Sequence, residues 1–402
     1  MARGGAQPRR TPPAPAISLL EIRVPRQNRR VPREHWPVRA DVATLTRAAE
    51  RLAPERLVLA LPRTGSTPHP GDVQLPCFHR AASIVMESLP FVLRALAADG
   101  GEFAMLLKLC LLDCIVVDDD LGALLSRCPR LRVLQLRPKG TTWRGVRKRR
   151  TVHSATLLKL IVDSEHVWLR HIDIVAPMLK QLRLRFPVYE PASISISASM
   201  LEKVSWHCWY EKDPIGFGLW GLRMVRLETA ETPGQLPSLQ IYACNTSRTF
   251  SIEEANLAKE IEKHMVLQFS DLELHLSTMG HVFGAFVLHL LEIKRIRSAI
   301  RRLMVIRHNS QEAQSCPANC PCEPTDWRTQ IIPLTALEEV EMHGFEGEDH
   351  DYDFLKLILS CAPMLRRIVL KLSDDLESSN VARTKIDELT AYFSVECIVY
   401  VG

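Results

Sequence analysis

Leu131-Arg-Val-Leu134-Gln-Leu136 carries apolar side chains at its first, fourth and sixth positions, and Leu106-Leu-Lys-Leu109-Cys-Leu111 shows the same pattern 25 residues earlier. Working outward, the pattern returns as Leu157, Leu160, Val162; as Leu179, Leu182, Leu184; as Leu201, Val204, Trp206; and as Leu222, Val225, Leu227. The steps from Leu131 onward are 26, 22, 22 and 21 residues. Alternation over the last positions of each copy is a strand signal, because successive side chains on a strand point to opposite faces. Six copies in one register make the repeat, and not any single segment, the unit of the fold.

These intervals, with Cys114 standing where such repeats carry Asn or Cys, are those of leucine-rich repeats. Each copy predicts a short strand whose leucines point inward, stacked in parallel on its neighbours, with the intervening chain returning on the opposite side. One repeat cannot bury its own apolar face, so stability comes from the stack. The expected fold class is α/β: a right-handed leucine-rich-repeat solenoid, a horseshoe like that of ribonuclease inhibitor. Asp118–Ser126 predicts one returning helix, with acidic residues at its N-terminus, an apolar face of Leu121, Leu124 and Leu125, and Cys128-Pro129 as its stop.

After Leu227 the regularity loosens. Phe269, Leu272, Leu274 and Ile300, Leu303, Val305 read as copies with longer insertions, and the pattern returns at Leu337, Val340, Met342 and Leu365, Ile368, Leu370. Ser251-x-x-Glu254 reads as a capping box opening a helix to about His264. A helix is expected over Asp353–Leu359 and a last strand over Cys397–Val401. Ahead of the repeats, Val42, Leu45, Ala49 and Leu52 share a helical face, and Arg56–Leu61 alternates as a strand.

Residues 1–40 hold nine arginines against Glu21 and Glu34, so the formal charge of +5 is concentrated there and the rest of the chain is close to neutral. Six prolines between Pro12 and Pro37 deny helical hydrogen bonds, and 1–40 is expected to be a disordered Arg/Pro-rich tail. A near-neutral body excludes a global electrostatic argument for nucleic acid. Eleven scattered cysteines point to a reducing compartment, cytoplasmic and/or nuclear. The stretch Val282–Leu291 is too short for a transmembrane helix, so no membrane is expected as a partner.

Several phrases resemble the F-box/LRR/FBD proteins abundant in grasses. Arg127-Cys-Pro-Arg-Leu-Arg-Val-Leu134 and Ile174-Val-Ala-Pro-Met-Leu-Lys-Gln-Leu182 are similar to that family's repeat edges. The most specific match is to its FBD signature: Cys316-Pro-Ala-Asn-Cys-Pro-Cys322, Asp326-Trp-Arg328, Leu337-Glu-Glu-Val-Glu-Met-His-Gly-Phe345, and Phe354 through Cys361-Ala-Pro-Met-Leu365. The resemblance covers roughly 41–400 and implies a repeat domain over 41–310 and an FBD-like module over 311–402. It implies a substrate-recognition role in a ubiquitin ligase, with an F-box docking on a Skp-type adaptor. Residues 1–40 are too short and Pro-rich for an F-box, so the adaptor is expected as a partner only where an F-box is supplied elsewhere.

Chemistry-bearing motifs are sparse. Gly216-Phe-Gly218-Leu-Trp-Gly221 matches G-x-G-x-x-G, yet it precedes a strand where a dinucleotide turn must open a helix, so it reads as a loop. Cys316, Cys320 and Cys322 concentrate three thiols but lack a paired C-x-x-C spacing, and a surface loop is favoured over zinc. Arg144 and Arg147-Lys-Arg-Arg150 form a basic run, read as a solvated loop before a nucleic-acid contact. Trp206, Trp209 and Trp220 read as packing residues. With no zincin, Walker or nucleophile-elbow motif, no catalytic, cofactor or metal residues are assigned.

The functional surface follows from strand alternation. Residues flanking the buried leucines face the concave side: Lys108, Gln135, Arg137, Lys159 and Asp163, then Arg183, Arg185, Lys203, His207, Arg226 and Glu228. The expectation is a basic face that takes an acidic or phosphorylated protein, because arginines grip carboxylates bidentately. The alternative is a nucleic-acid-associated protein using the N-terminal tail and the loop at 144–150.

Overall fold

The computed structural model describes residues 17–24, 39–61, 72–88, 92–94, 101–116, 118–138, 149–164, 171–188, 193–210, 215–217, 220–230, 238–245, 256–265, 268–278, 282–308, 326–373 and 380–400. Two compact units organise them. The first takes the described residues of 1–167 with 173–179 and 197–200, and the second takes 168–172, 180–196 and 201–402.

In the first unit, strands β1 (Leu19–Arg23), β2 (Arg56–Ala60), β3 (Asp72–Gln74), β4 (Ser83–Glu87), β5 (Val92–Arg94), β6 (Lys108–Val116), β7 (Val133–Pro138), β8 (Arg149–His153) and β9 (Lys159–Asp163) accompany helices α1 (Arg39–Leu52) and α2 (Asp118–Ser126). Strands β1, β2, β4, β6, β7 and β9 pair in parallel in that order. Register carries Leu57, Ile84, Leu109, Leu134 and Leu160 across the sheet as one row, all nearly or fully excluded from solvent. Beside it run Leu59, Met86, Leu111, Leu136 and Val162.

The repeat-edge phrases have a turn chemistry. Leu131 N–H donates to Cys128 O, Leu179 N–H to Ala176 O and Leu365 N–H to Ala362 O, each spanning three residues. Proline at the second position of such a turn has its φ already set, which is why Cys-Pro-x-Leu and Ala-Pro-x-Leu recur. Cys114 is buried, and its thiol lies 3.5 Å from Met86 O and 3.3 Å from Leu112 O, which gives the S–H backbone acceptors.

Three elements differ from expectation here. Leu19–Arg23, inside the stretch expected to be a tail, is β1, pairing Leu20 with Leu57 and Ile22 with Leu59. Two apolar positions are too few for a periodicity signal, and only the neighbouring strand recruits them. Strand β4 is a repeat whose first position is Ala81, small enough to escape a leucine pattern although it is fully buried. The described part of the basic run, Arg149 and Arg150, begins β8, while Arg144–Lys148 lie outside the described residues.

After β10 (His171–Val175), the second unit holds β11 (Gln181–Val188), β13 (Lys203–Tyr210), β14 (Ile215–Phe217), β15 (Trp220–Ala230), β16 (Ser238–Asn245), β17 (Asp271–Ser277), β18 (Arg302–Arg307), β19 (Glu339–Phe345), β20 (Arg367–Leu372) and β21 (Glu396–Tyr400), with β12 (Ser193–Ser197) after β11. Its helices are α3 (Leu257–His264), α4 (Phe283–Leu291), α5 (Lys294–Ala299), α6 (Asp349–Cys361) and α7 (Asn380–Phe393). Strands β16 to β21 pair in parallel, with Leu239, Leu272, Leu303, Val340 and Ile368 as the buried row.

The sixth copy is a correction. Strand β15, which carries Leu222, Val225 and Leu227, runs antiparallel to both β13 and β16. Gly216 pairs with Gly221 in the β14–β15 hairpin, which reverses the chain, so the glycine-rich motif is a hairpin element. An apolar pattern reports which face is buried and carries no information on strand direction. Val225 and Leu227 are fully buried all the same, and the parallel stack resumes at Leu239 and Ile241.

Helix α3 starts later than expected. Asn256 caps it, accepting from Ala258 N–H at 2.9 Å, whereas Ser251 and Glu254 lie outside the described residues. The boundary expected at 310 falls inside the second unit, where β18 and β19 pair across it.

The described FBD-like phrases, from Asp326 onward, pack together, while Cys316–Cys322 lies outside the described residues. Trp327 lies buried against Gly284 of α4, where a Cβ would stand 2.8 Å from its ring. Gly344 takes φ +75° at a bulge in β19, a conformation that favours glycine, and the bulge carries Phe345 into the core. Arg307 reaches the wholly buried Asp351 at 2.7 Å, pairs with Glu346 and lies over the Phe283 ring. Asp351 also accepts from the Glu346 N–H at 2.9 Å and closes a capping box with Glu348 at the start of α6.

Candidate strand-face interface

Alternation along each strand leaves a second face, away from the buried leucines. In the first unit, register brings Lys108, Val133 and Lys159 side by side, with Gln135 between Cys110 and Ile161 in the next row. Arg137 is already occupied: its guanidinium forks onto Asp113 at 2.9 and 3.3 Å, a bidentate pair with one residue in a positive-φ conformation. Asp163 ends β9 on the same face.

In the second unit Gln181 neighbours Lys203, Arg183 neighbours Ser205, and Arg185 neighbours His207. Arg226 and Glu228 reach this face from the antiparallel strand, opposite Trp209 and His207. Glu228 forms ion-pair contacts with His207 Nδ1 at 2.7 Å and Arg226 Nε at 3.0 Å. The Arg185 guanidinium lies 5.9 Å from the Trp209 ring centre. Trp206 is buried in the core, separated in role from Trp209 by alternation alone.

The face continues over strands that the site reading from sequence did not include. The Arg226 guanidinium sits 3.8 Å over Tyr242, Tyr242 stacks on His275 at 4.1 Å, and His275 stacks on His308. His275 Nε2 meets Glu273 at 2.7 Å, and its Nδ1 lies 3.2 Å from His308 Nε2. Burial and the neighbouring His275 push the His308 imidazole down from its ordinary range. On β19 the same Glu-x-His spacing recurs, with His343 Nε2 2.6 Å from Glu341.

Glu341 gathers three donors on this face. Burial acts to raise it, but hydrogen bonds from His343, Arg302 at 2.5 Å and Lys371 at 3.0 Å outweigh that effect and hold its carboxyl at about 2. A signal for this half was present in Glu273-Leu-His275 and Glu341-Met-His343, since residues two apart on a strand share a face.

Burial raises the Cys128 thiol to about 12 and lifts Cys208 well above its usual range, which leaves them protonated and weakly nucleophilic. Tyr210, raised by the same burial, donates its hydroxyl to Glu260 at 2.9 Å, and Lys263 holds the other carboxylate oxygen at 2.6 Å. Among the described residues no three His, Cys, Asp or Glu side chains converge to hold a metal ion, and Cys316, Cys320 and Cys322 lie outside them. Among the same residues no helix is long and apolar enough to cross a membrane.

Residues 55–204 match the family model described as the LRR repeats of FBD-associated F-box protein At5g56370. No curated protein and no solved structure matches the chain. Strands β2 to β9 and the parallel rows of leucine lie within the matched stretch, so repeat spacing, strand pairing and family similarity agree on an α/β fold of leucine-rich-repeat type.

Proposed function

We propose that this chain is a non-catalytic protein-recognition scaffold that binds a protein partner on the open strand face, in the manner of the substrate-recognition part of F-box/LRR ubiquitin-ligase receptors. The observation that carries this is that in each unit the buried leucines set outward side chains at fixed strand spacing, in repeats that are similar over residues 55–204 to those of an F-box protein. A rigid strand scaffold presents polar groups at intervals of about 4.8 Å, which suits a polypeptide surface better than a small molecule. In this reading a Skp-type adaptor is a partner only if an F-box is supplied elsewhere. The cytoplasm and nucleus, where such ligases meet their substrates, are the compartments this role implies.

The test is co-purification of the tagged chain and of the Arg183→Glu/Arg185→Glu variant, with partners identified by mass spectrometry. A protein recovered with the parent chain and lost with the variant supports the reading. Recovery of nucleic acid alone, released by salt, would replace it with the nucleic-acid alternative.

A further inference from the structure

The two ends of the second unit's open face differ in sign. On β11, β13 and β15 the outward positions include Arg183, Arg185, Lys203 and Arg226, set against Glu228. Strand β16 presents Ser238, Gln240 and Tyr242, which carry no charge. From β17 to β21 the balance reverses: Asp271, Glu273, Glu339, Glu341 and Glu396 outnumber Arg302, Arg367 and Lys371. Arg302 and Arg367 share one carboxylate, Glu339, in ion pairs of 3.9 and 3.8 Å, and Glu396 is exposed on the last strand. The residues from which a basic face was expected lie at one end of this face.

We propose that this face is a docking surface for an extended polypeptide segment with an acidic half and a basic half, the acidic half lying over β11–β15 and the basic half over β17–β21. The inference rests on the protein-recognition reading above and specifies the partner's chemistry. Eight inter-strand steps of about 4.8 Å separate β11 from β21, roughly 38 Å along the sheet. An extended chain covers that distance with about a dozen residues. The neutral strand lies between the two charged ends, and the Arg226–Tyr242–His275 stack holds its tyrosine ring in place. A segment of one sign gains at one end and is repelled at the other, whereas a two-signed segment gains at both, so the surface selects for charge order as well as for charge.

The probes are four fluorescein-labelled twelve-residue peptides: acidic, basic, neutral, and half acidic with half basic. Binding to the full chain is read by anisotropy at two salt concentrations. The two-signed peptide is expected to bind about tenfold more tightly than either single-signed peptide, with the advantage falling as salt rises. Arg183→Glu with Arg185→Glu should remove the contribution of the acidic half and, by relieving repulsion at that end, bind the basic peptide more tightly than the parent does. Asp271→Lys with Glu396→Lys should do the converse, so each pair serves as the folding control for the other. Equal binding of the acidic and two-signed peptides, loss of both contributions in either variant, or binding of none of the peptides overturns the proposal. None of these outcomes touches the broader reading, which stands or falls on its own co-purification.

Discussion

Gly284→Ala decides between two opposed effects whose signs differ. In a helix, alanine is favoured over glycine by up to about 1 kcal/mol, and by less near the N-terminus where Gly284 lies in α4. If the site were open, the substitution would stabilise the protein. It is not open: the added methyl would stand 2.8 Å from Cη2 and 2.9 Å from Cζ3 of Trp327, an indole that is itself buried and pinned against α4 and α6. Overpacking of this kind costs about 1–3 kcal/mol, so the net effect is a destabilisation of about 1–2 kcal/mol. The assay is urea unfolding followed by circular dichroism, comparing midpoints of the parent, Gly284→Ala, Trp327→Phe and the double variant. Because the single ring of phenylalanine reaches less far than the fused indole, whose outer ring carries the atoms that collide with the methyl, the double variant should be less destabilised than the two singles added together. A midpoint unchanged or raised in Gly284→Ala, or strict additivity with Trp327→Phe, would refute the argument that Trp327 locks this helix.

Leu134→Ala removes a fully buried side chain from the centre of the row shared with Leu109 and Leu160 and should cost about 2–5 kcal/mol, measured as a shift in the urea midpoint. Arg307→Met leaves Asp351 as a buried carboxylate without its guanidinium partner; a loss of about 3–5 kcal/mol is expected, with partial recovery in Arg307→Met/Asp351→Asn. Glu341, held at about 2 against a model-compound value of 4.5, stabilises the fold above about pH 4.5, and that contribution is lost as the pH falls through 2. With solvent screening the effect is about 1–2 kcal/mol, seen as a steeper acid-unfolding profile in the parent than in Glu341→Gln.

Much of the architecture was readable before any coordinates, because the repeat leaves its mark on every turn of the chain. Leucines at one, four and six at intervals of 25 and 26 residues locate the strands of Leu109, Leu134 and Leu160, and looser copies locate those of Leu303, Val340 and Ile368, all of which the structure places in register. Side-chain alternation likewise predicted which residues leave the core, so Lys108 and Lys159, or Arg183 and Lys203, stand on strands facing away from the leucines. Burial is a property of each residue's own strand, and one sequence records it well.

What sequence could not supply were relations between strands. The direction of β15 depends on a hairpin closed by Gly216 and Gly221, and the order of Leu222, Val225 and Leu227 reads identically for either direction. Residues 19–23 become a strand only because β2 offers a parallel edge. The depressed carboxyl of Glu341 arises where it meets Arg302, His343 and Lys371, residues drawn from three strands as many as 69 positions apart. A pattern along the chain encodes which way a side chain points; its electrostatic neighbours are set by register across the sheet, which only the folded structure contains.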